Sequence, residues 1–282
     1  MKKYTKIILM ISICLISVGI VFSTIGLLAG ASPSQIFYNG LWNTRFLLGN
    51  GYGNDFEEDN TYHLSDQAVD SLDISWIGGK VSVVPYDGED IVIREKSKGK
   101  IDEDTCLGYK IKGATLKIDY FRSKSVTAGT GAFVKQLEVK IPRHLAQNLE
   151  ELNFDGVSSD LSIKDLDAAS LDVTTISGNL SGKNIRAKNV NMDSTSGDMR
   201  VAFSDCPQAL NMDSTSGDCI LTLPKGSSVT AEFDSVSGDF SSSFRTRLQE
   251  YDIDNLYVIG NGENEFNMDT VSGDFIINKA AE

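Results

Sequence analysis

The chain is poor in the residues that most often carry catalysis and metal chemistry. Its 282 residues include two His and four Cys. Cys14 falls in a long apolar run, which leaves Cys106, Cys206 and Cys219, an odd number with no CxxC spacing. That pattern is neither a disulfide framework nor a zinc site, although a single Cys206–Cys219 bridge stays open. Pro is scarce at five, which rules out Pro-rich linkers. Basic residues are in deficit: the net charge is −13, and Lys2, Lys3 and Lys6 at the start leave −16 on the remainder. A surface of that sign repels phosphate backbones, so nucleic acid is excluded as a partner. It suits cations or basic partners, and equally a solvated surface that keeps the domain soluble. Neither His63 nor His144 neighbours a nucleophile in sequence, so no Ser-His-Asp or Cys-His arrangement is legible.

What is present is apolar, glycine-rich and ordered by position. Hydrophobic residues make up 41%, enough for a packed core, and Gly numbers 25. Residues 7–28, IILMISICLISVGIVFSTIGLL, carry no charge over a length that spans a bilayer as a helix. The lysines before it predict a cytoplasmic N-terminus and an extracytoplasmic remainder, anchored in the cell membrane by a single pass. Ala29-Gly30-Ala31 also fits a signal-peptide cleavage site, but the apolar run exceeds a usual signal core. Both readings export the domain. Residues 33–62 hold Phe37, Tyr38, Trp42 and Phe46 among polar residues, and GNGYGNDFEEDN at 49–60 reads as an acidic linker. The chain thus divides into a head and anchor at 1–30, a juxtamembrane segment and linker at 31–69, and a repeat domain at 70–282.

The repeat domain is written in one pattern. Its copies are LNFDGVSSDLSI (152–163), LDVTTISGNLSG (171–182), VNMDSTSGDMRV (190–201), LNMDSTSGDCIL (210–221), AEFDSVSGDFSS (231–242) and FNMDTVSGDFII (266–277). A near-constant period of about 20 residues over several copies is the signature of a solenoid. Alternation within each copy marks strands, and Ser-Gly-Asp marks a turn. One inward column reads Phe154, Val173, Met192, Met212, Phe233, Met268; a second, after the turn, reads Leu161, Leu180, Met199, Cys219, Phe240, Phe275. Between them runs a small column: Gly156, Thr175, Ser194, Ser214, Ser235, Thr270. The predicted fold is all-β, a right-handed parallel β-helix or solenoid preceded by one N-terminal transmembrane helix. Residues 70–141 fit as degenerate early coils, and 243–265 as an insertion between the fifth and sixth copies. The final strand, FIINKAAE, is expected to leave an open edge that invites weak self-association.

The outward positions carry the chemistry. Asp193, Asp213, Asp234 and Asp269 form one column, and Asp198, Asp218, Asp239 and Asp274 form another in the turn. Stacked carboxylates about 5 Å apart repel by roughly 0.8 kcal/mol per neighbouring pair in water. Calcium, a cationic partner or plain solvation would each relieve that repulsion. No other cofactor is implied. Asp and Ser are also ordinary turn residues that need no ligand.

These SGD copies, the preceding LEVKIP and the GNGENEFNMDTVSGDF near the end resemble the "putative adhesin" β-solenoid family, over about residues 70–279. Ser159 and Asn179 depart from its motif. The resemblance implies a bacterial envelope domain of unknown function and brings no site residues with it. The sequence therefore reads as a non-enzymatic, membrane-anchored rod for adhesion or cell-envelope interaction, with a protein or cell-wall partner. Two rival readings are a regulatory envelope-stress component acting through a membrane partner, and a calcium-dependent polysaccharide-active enzyme using Arg245 or Arg247 beside the Asp columns.

Overall fold

The computed structural model describes residues 58–281 apart from 66–68, 99, 102, 104, 123–133 and 251–254. The expected anchor at 7–28 and the juxtamembrane aromatics lie outside the described residues. No helix among the described residues is long and apolar enough to cross a membrane.

Almost everything described is strand. In chain order the elements are β1 (Glu58–Ser65), β2 (Ser71–Tyr86), β3 (Asp90–Ser97), β4 (Gly108–Lys112), β5 (Thr115–Asp119), β6 (Lys135–Pro142), a single helical turn α1 (Arg143–Ala146), β7 (Leu149–Ser177), β8 (Leu180–Ser196), β9 (Met199–Phe203), β10 (Ala209–Ser216), β11 (Cys219–Leu223), β12 (Val229–Ser237), β13 (Phe240–Ser242), β14 (Thr246–Glu250), β15 (Asn255–Ile259), β16 (Asn264–Ser272) and β17 (Phe275–Lys279). The chain is all-β, as the period-2 pattern requires. Successive copies stack in parallel with like positions opposite one another. Met192, Met212, Met268 and Phe233 are consecutive partners along β8, β10, β16 and β12. Met199, Cys219, Phe275 and Phe240 do the same after the turn. Each apolar column is therefore continuous, and nearly all of its members are buried. Burial of such columns stabilises by roughly 25 cal/mol per Å² of apolar surface, which no single coil could gain alone. The four methionines, Met192, Met199, Met212 and Met268, are buried here. Cys106, Cys206 and Cys219 are free thiols, so the open Cys206–Cys219 bridge does not form.

The coil order departs from the chain order. The sixth copy, β16 and β17, lies between the fourth and the fifth: β16 pairs with β10 on one side and β12 on the other. Its second half, β17, lies between β11 and β13. The expected open edge at the C-terminal strand is therefore absent, and with it the basis for self-association there. The cause is the insertion. Residues 246–250 and 255–259 form an antiparallel pair laid on the outer edge of β12, which reverses the chain and returns it one layer inward. The other end repeats the device. β2 lies between β7 and a layer made of β5 and β6, with β3 and β4 antiparallel beyond. Residues 58–65, which composition places in a linker, form β1, antiparallel to β3.

The turn of each SGD copy follows from one close approach. A Cβ on Gly217 would lie 2.3 Å from the carbonyl oxygen of Gly197, and one on Gly197 would lie 2.1 Å from that of Gly178. Gly273 and Gly238 continue the column outward with the same contact. Glycine is present because the neighbouring coil's backbone occupies the place of a side chain. The Asp that follows ties coils together. The backbone N–H of Asp218 donates to Asp198 Oδ1 at 3.1 Å, that of Asp274 to Asp218 Oδ1 at 3.0 Å, and that of Asp239 to Asp274 Oδ1 at 3.0 Å. Asn179 fits the same ladder because its side-chain oxygen accepts the N–H of Asp198 at 2.9 Å.

Near the N-terminal end the core holds one buried ion pair. Lys135 Nζ lies 3.2 Å from Glu95 Oε2, with both side chains at most 1% exposed. Lys135 also donates to the carbonyls of Thr105 and Tyr120, and its ammonium sits over the rings of Tyr120, Phe121 and Trp76. Glu95 accepts the backbone N–H of Leu107 on both oxygens.

Candidate functional site

The long faces of the stack alternate in chemistry with its core. On the face that carries Asp193, the residue two positions earlier is also outward. That gives a second column of Asp172, Asn191, Asn211 and Asn267. Asn191 donates through its amide to Asp172 Oδ1 at 2.5 Å, Asn211 to Asn191 Oδ1 at 3.0 Å, and Asn267 to Asn211 Oδ1 at 3.1 Å. The parallel register makes this amide ladder possible, because like residues repeat at the strand spacing of about 4.8 Å. Beside it runs the column of Asp193, Asp213, Asp269 and Asp234. The two columns line a groove of about 500 Å³ with Asp172, Asn191, Asp193, Asn211, Asp213, Asn267 and Asp269 in its walls.

Sequence reasoning brought two Asp columns forward as equals, and the structure separates them. Asp198, Asp218, Asp239 and Asp274 belong to the turns, where the inter-coil N–H ladder engages three of them as acceptors. Asp193, Asp213 and Asp269 line the groove, and Asp234, opposite Asp269, ends their column on β12. Among the described residues, no three acidic, His or Cys side chains converge as metal ligands do. The Asn ladder was missed, although its signal is plain: Asn stands at the same place in the copies at 190–201, 210–221 and 266–277. The insertion arginine Arg247 donates to the carbonyl of Gly260 within its own hairpin, at 2.9 Å.

The groove shifts the acidity of its carboxylates. Crowding by the walls withdraws water from Asp193, and the neighbouring Asp213 and Asp172 add charge repulsion, so it titrates at about 6. Its proton forms a hydrogen bond to Asp213, whose own pKa is raised by burial and lowered by that bond. Asp155 is raised as well, by burial and then by Asp73. The folded state therefore holds the Asp193 proton more tightly than the unfolded chain does. This contribution favours folding in acid and is lost as pH rises from the unfolded Asp value near 4 to about 6. Asp193→Asn is expected to raise the melting temperature at pH 7.5 and to leave it unchanged below pH ~4. Asp193 is crowded on its groove side but keeps an exposed surface, so solvent screening reduces the gain to about 1 kcal/mol rather than the full shift. Equal melting of the two proteins across this pH range would refute the shared proton.

Solved structures that match the chain at low identity come from bacteria. A "putative cell adhesion protein" from Clostridium sporogenes is 12% identical, with a TM-score of 0.48 over 79% of this chain and 99% of that one. A "putative adhesin" from Bacteroides fragilis is also 12% identical, with a TM-score of 0.44 over 79% of this chain and 97% of that one. No curated protein sequence matches the chain significantly. The sequence profile of one family matches residues 69–222 and 201–278, which together span the stacked coils from β2 into β17. The chain belongs to the Toastrack DUF4097 family.

Proposed function

We propose that the protein is a non-enzymatic rod, anchored by residues 7–28, that stands outside the cytoplasm and contacts the cell envelope through the Asp/Asn groove. The groove carries this reading. It runs across four coils, presents amide donors and carboxylate acceptors at regular spacing, and opens to solvent. Hydroxyls and amines of an extended polymer suit such a lining. Asn exchanges donor and acceptor hydrogen bonds with sugar hydroxyls, and ionised Asp pairs with an amine. A cell-wall glycan bearing free amines offers both. A rod held outside the cytoplasm would meet such a polymer in the cell wall.

The test is sedimentation of the detergent-solubilised full chain with isolated cell-wall sacculi. The triple variant Asp193→Asn, Asp213→Asn, Asp269→Asn keeps the shape of the groove and removes its charge. Binding is expected to fall about tenfold or more in the variant, and to weaken in wild type as salt rises. Acetylation of the sacculus amines should have the same effect. Equal binding by wild type and variant would overturn the assignment of the groove.

A further inference from the structure

The N-terminal end of the stack is finished differently from its sides. β4 is the outermost strand there and pairs only with β5 among the described residues. Its residues continue the core columns by one more layer. Tyr109 lies opposite Ile118 and Ile111 opposite Leu116, and those partners lie in turn opposite Ile74 and Leu72. No further layer follows among the described residues, and Tyr109 and Ile111 are 42% and 43% exposed, while Ile118 and Leu116 are fully buried. A terminal coil of a solenoid ordinarily shows a polar outer face. Here the apolar columns emerge at the surface.

The charge at this end is also unlike the rest. Lys110 and Lys112 alternate with the two apolar residues and are exposed, and exposed Arg122 lies against the base of the strand at Gly108. The strand Gly108–Lys112 contains no acid; among the described residues Asp119 on β5, Glu103 and, on β1, Asp59 are exposed acids at this end, and Asp59 is paired with Arg94. The remainder of the protein is strongly acidic. Tyr, Ile and Lys exposed together are the residues that settle at a bilayer surface: the aromatic at headgroup depth, the aliphatic below it, the ammonium groups on lipid phosphates.

The position of the chain's entry completes the argument. The 57 residues that precede the described part join the stack at β1. β1 lies at this same end: it pairs with β3 beyond β6, and Tyr62 on it meets Tyr109 with ring centroids 5.1 Å apart. The apolar run ends at residue 28, and the 29 residues from there to β1 reach at most about 100 Å. That reach is enough for this end, where the chain enters, to meet the lipid.

We infer that the β4 edge, with Tyr109, Ile111, Lys110, Lys112 and Arg122, docks on an anionic lipid surface and fixes the rod end-on to its own membrane. The inference rests on the anchored reading above. Docking holds the acidic groove away from the lipid, facing the wall.

The experiment uses the full chain reconstituted into nanodiscs of phosphatidylcholine, alone or mixed with phosphatidylglycerol. Hydrogen exchange is followed at the peptide covering 108–112. Exchange there is expected to slow roughly tenfold in anionic discs relative to neutral ones, as two lysines near a charged surface imply. The slowing should disappear at high salt, in Lys110→Glu/Lys112→Glu, and in Tyr109→Ser/Ile111→Ser, with the core strands exchanging as in wild type. Equal exchange in both lipids would overturn docking. So would protection that depends on protein concentration and not on lipid, because a second copy would then occupy the edge. Failure of the chain to co-float with the discs would refute the anchor instead. In that case the same peptide, measured with the chain added to preformed anionic vesicles, decides the docking alone.

Discussion

Gly217→Ala is expected to destabilise the protein by about 3–5 kcal/mol, whereas Gly226→Ala should be nearly neutral. The two glycines lie nine residues apart and differ in one physical respect. A Cβ at Gly217 meets the Gly197 carbonyl oxygen at 2.3 Å, and its φ of 121° is one that L side chains rarely adopt. A Cβ at Gly226 meets nothing within 4 Å. The backbone cost of the first is about 1–3 kcal/mol. The forced separation of two coils adds a similar amount, because the opposing atom is main chain and cannot rotate away. Relief requires the stack to open, so the damage should spread to the N–H bonds that Asp218 and Asp274 make across the same turns. Thermal and urea unfolding followed by circular dichroism would measure both variants. A Gly217→Ala protein within about 1 kcal/mol of wild type would refute the close-stacked turn. Gly197 and Gly273, in the same column, should respond alike.

That column shows why the sequence was legible in some respects and opaque in others. Period, alternation and turn chemistry act within one copy, so they are written out in each copy. The inward columns through Met192 and Met199 could be read directly. Stacking order is another matter. The copies at 210–221 and 266–277 present the same residue classes at nearly every position, while 231–242 has Glu232 in place of the ladder Asn and Ser242 in place of an apolar residue. Those departures set 231–242 apart, but they do not say which copy lies beside it. Only the interval of 35 residues before the last copy distinguishes it, and that extra length is what the β14–β15 hairpin uses to turn the chain back. The two Asp columns looked equivalent because their difference lies in what faces them. Across the turn Asp198 meets a backbone N–H, and along the face Asp193 meets another carboxylate. The strand at 58–65 was hidden by its acidic surroundings, since only Tyr62 and Leu64 alternate inward and the partner β3 is distant in sequence. The pairing of Lys135 with Glu95, 40 residues apart, left no local pattern at all.

That buried pair carries the second large expectation. Lys135→Met should destabilise the protein by about 3–5 kcal/mol, and Lys135→Met combined with Glu95→Gln should recover more than half of the loss. Burial lowers the Lys135 pKa, and the Glu95 carboxylate opposes that shift. The ammonium is therefore held by its partners against a desolvation cost. Methionine fills a similar volume among Trp76, Tyr120 and Phe121, so packing changes little. What remains is a carboxylate with no countercharge, fully buried, and such a group costs several kcal/mol. Neutralising it with Gln keeps an acceptor for the Leu107 N–H, which Glu95 now holds at 3.0 and 3.1 Å. The coupling energy of the cycle separates two roles for the lysine. If Lys135 acts mainly through its charge, the double variant approaches wild type. If it acts mainly by tying the carbonyls of Thr105 and Tyr120 to the core, Glu95→Gln gives no rescue. The geometry favours the first, because Glu95 is fully buried 3.2 Å from the ammonium, and a stranded carboxylate is the costliest consequence of the substitution. The contacts of the ammonium with three aromatic rings, at 4.3 to 5.4 Å from their centroids, are lost in both variants and belong to the part that Glu95→Gln does not recover. Loss of the pair should act first at the N-terminal end. Hydrogen exchange in Lys135→Met is expected to rise across β1, β3 and β6 while β10, β12 and β16 stay protected, since coils of a solenoid share stability only with their neighbours.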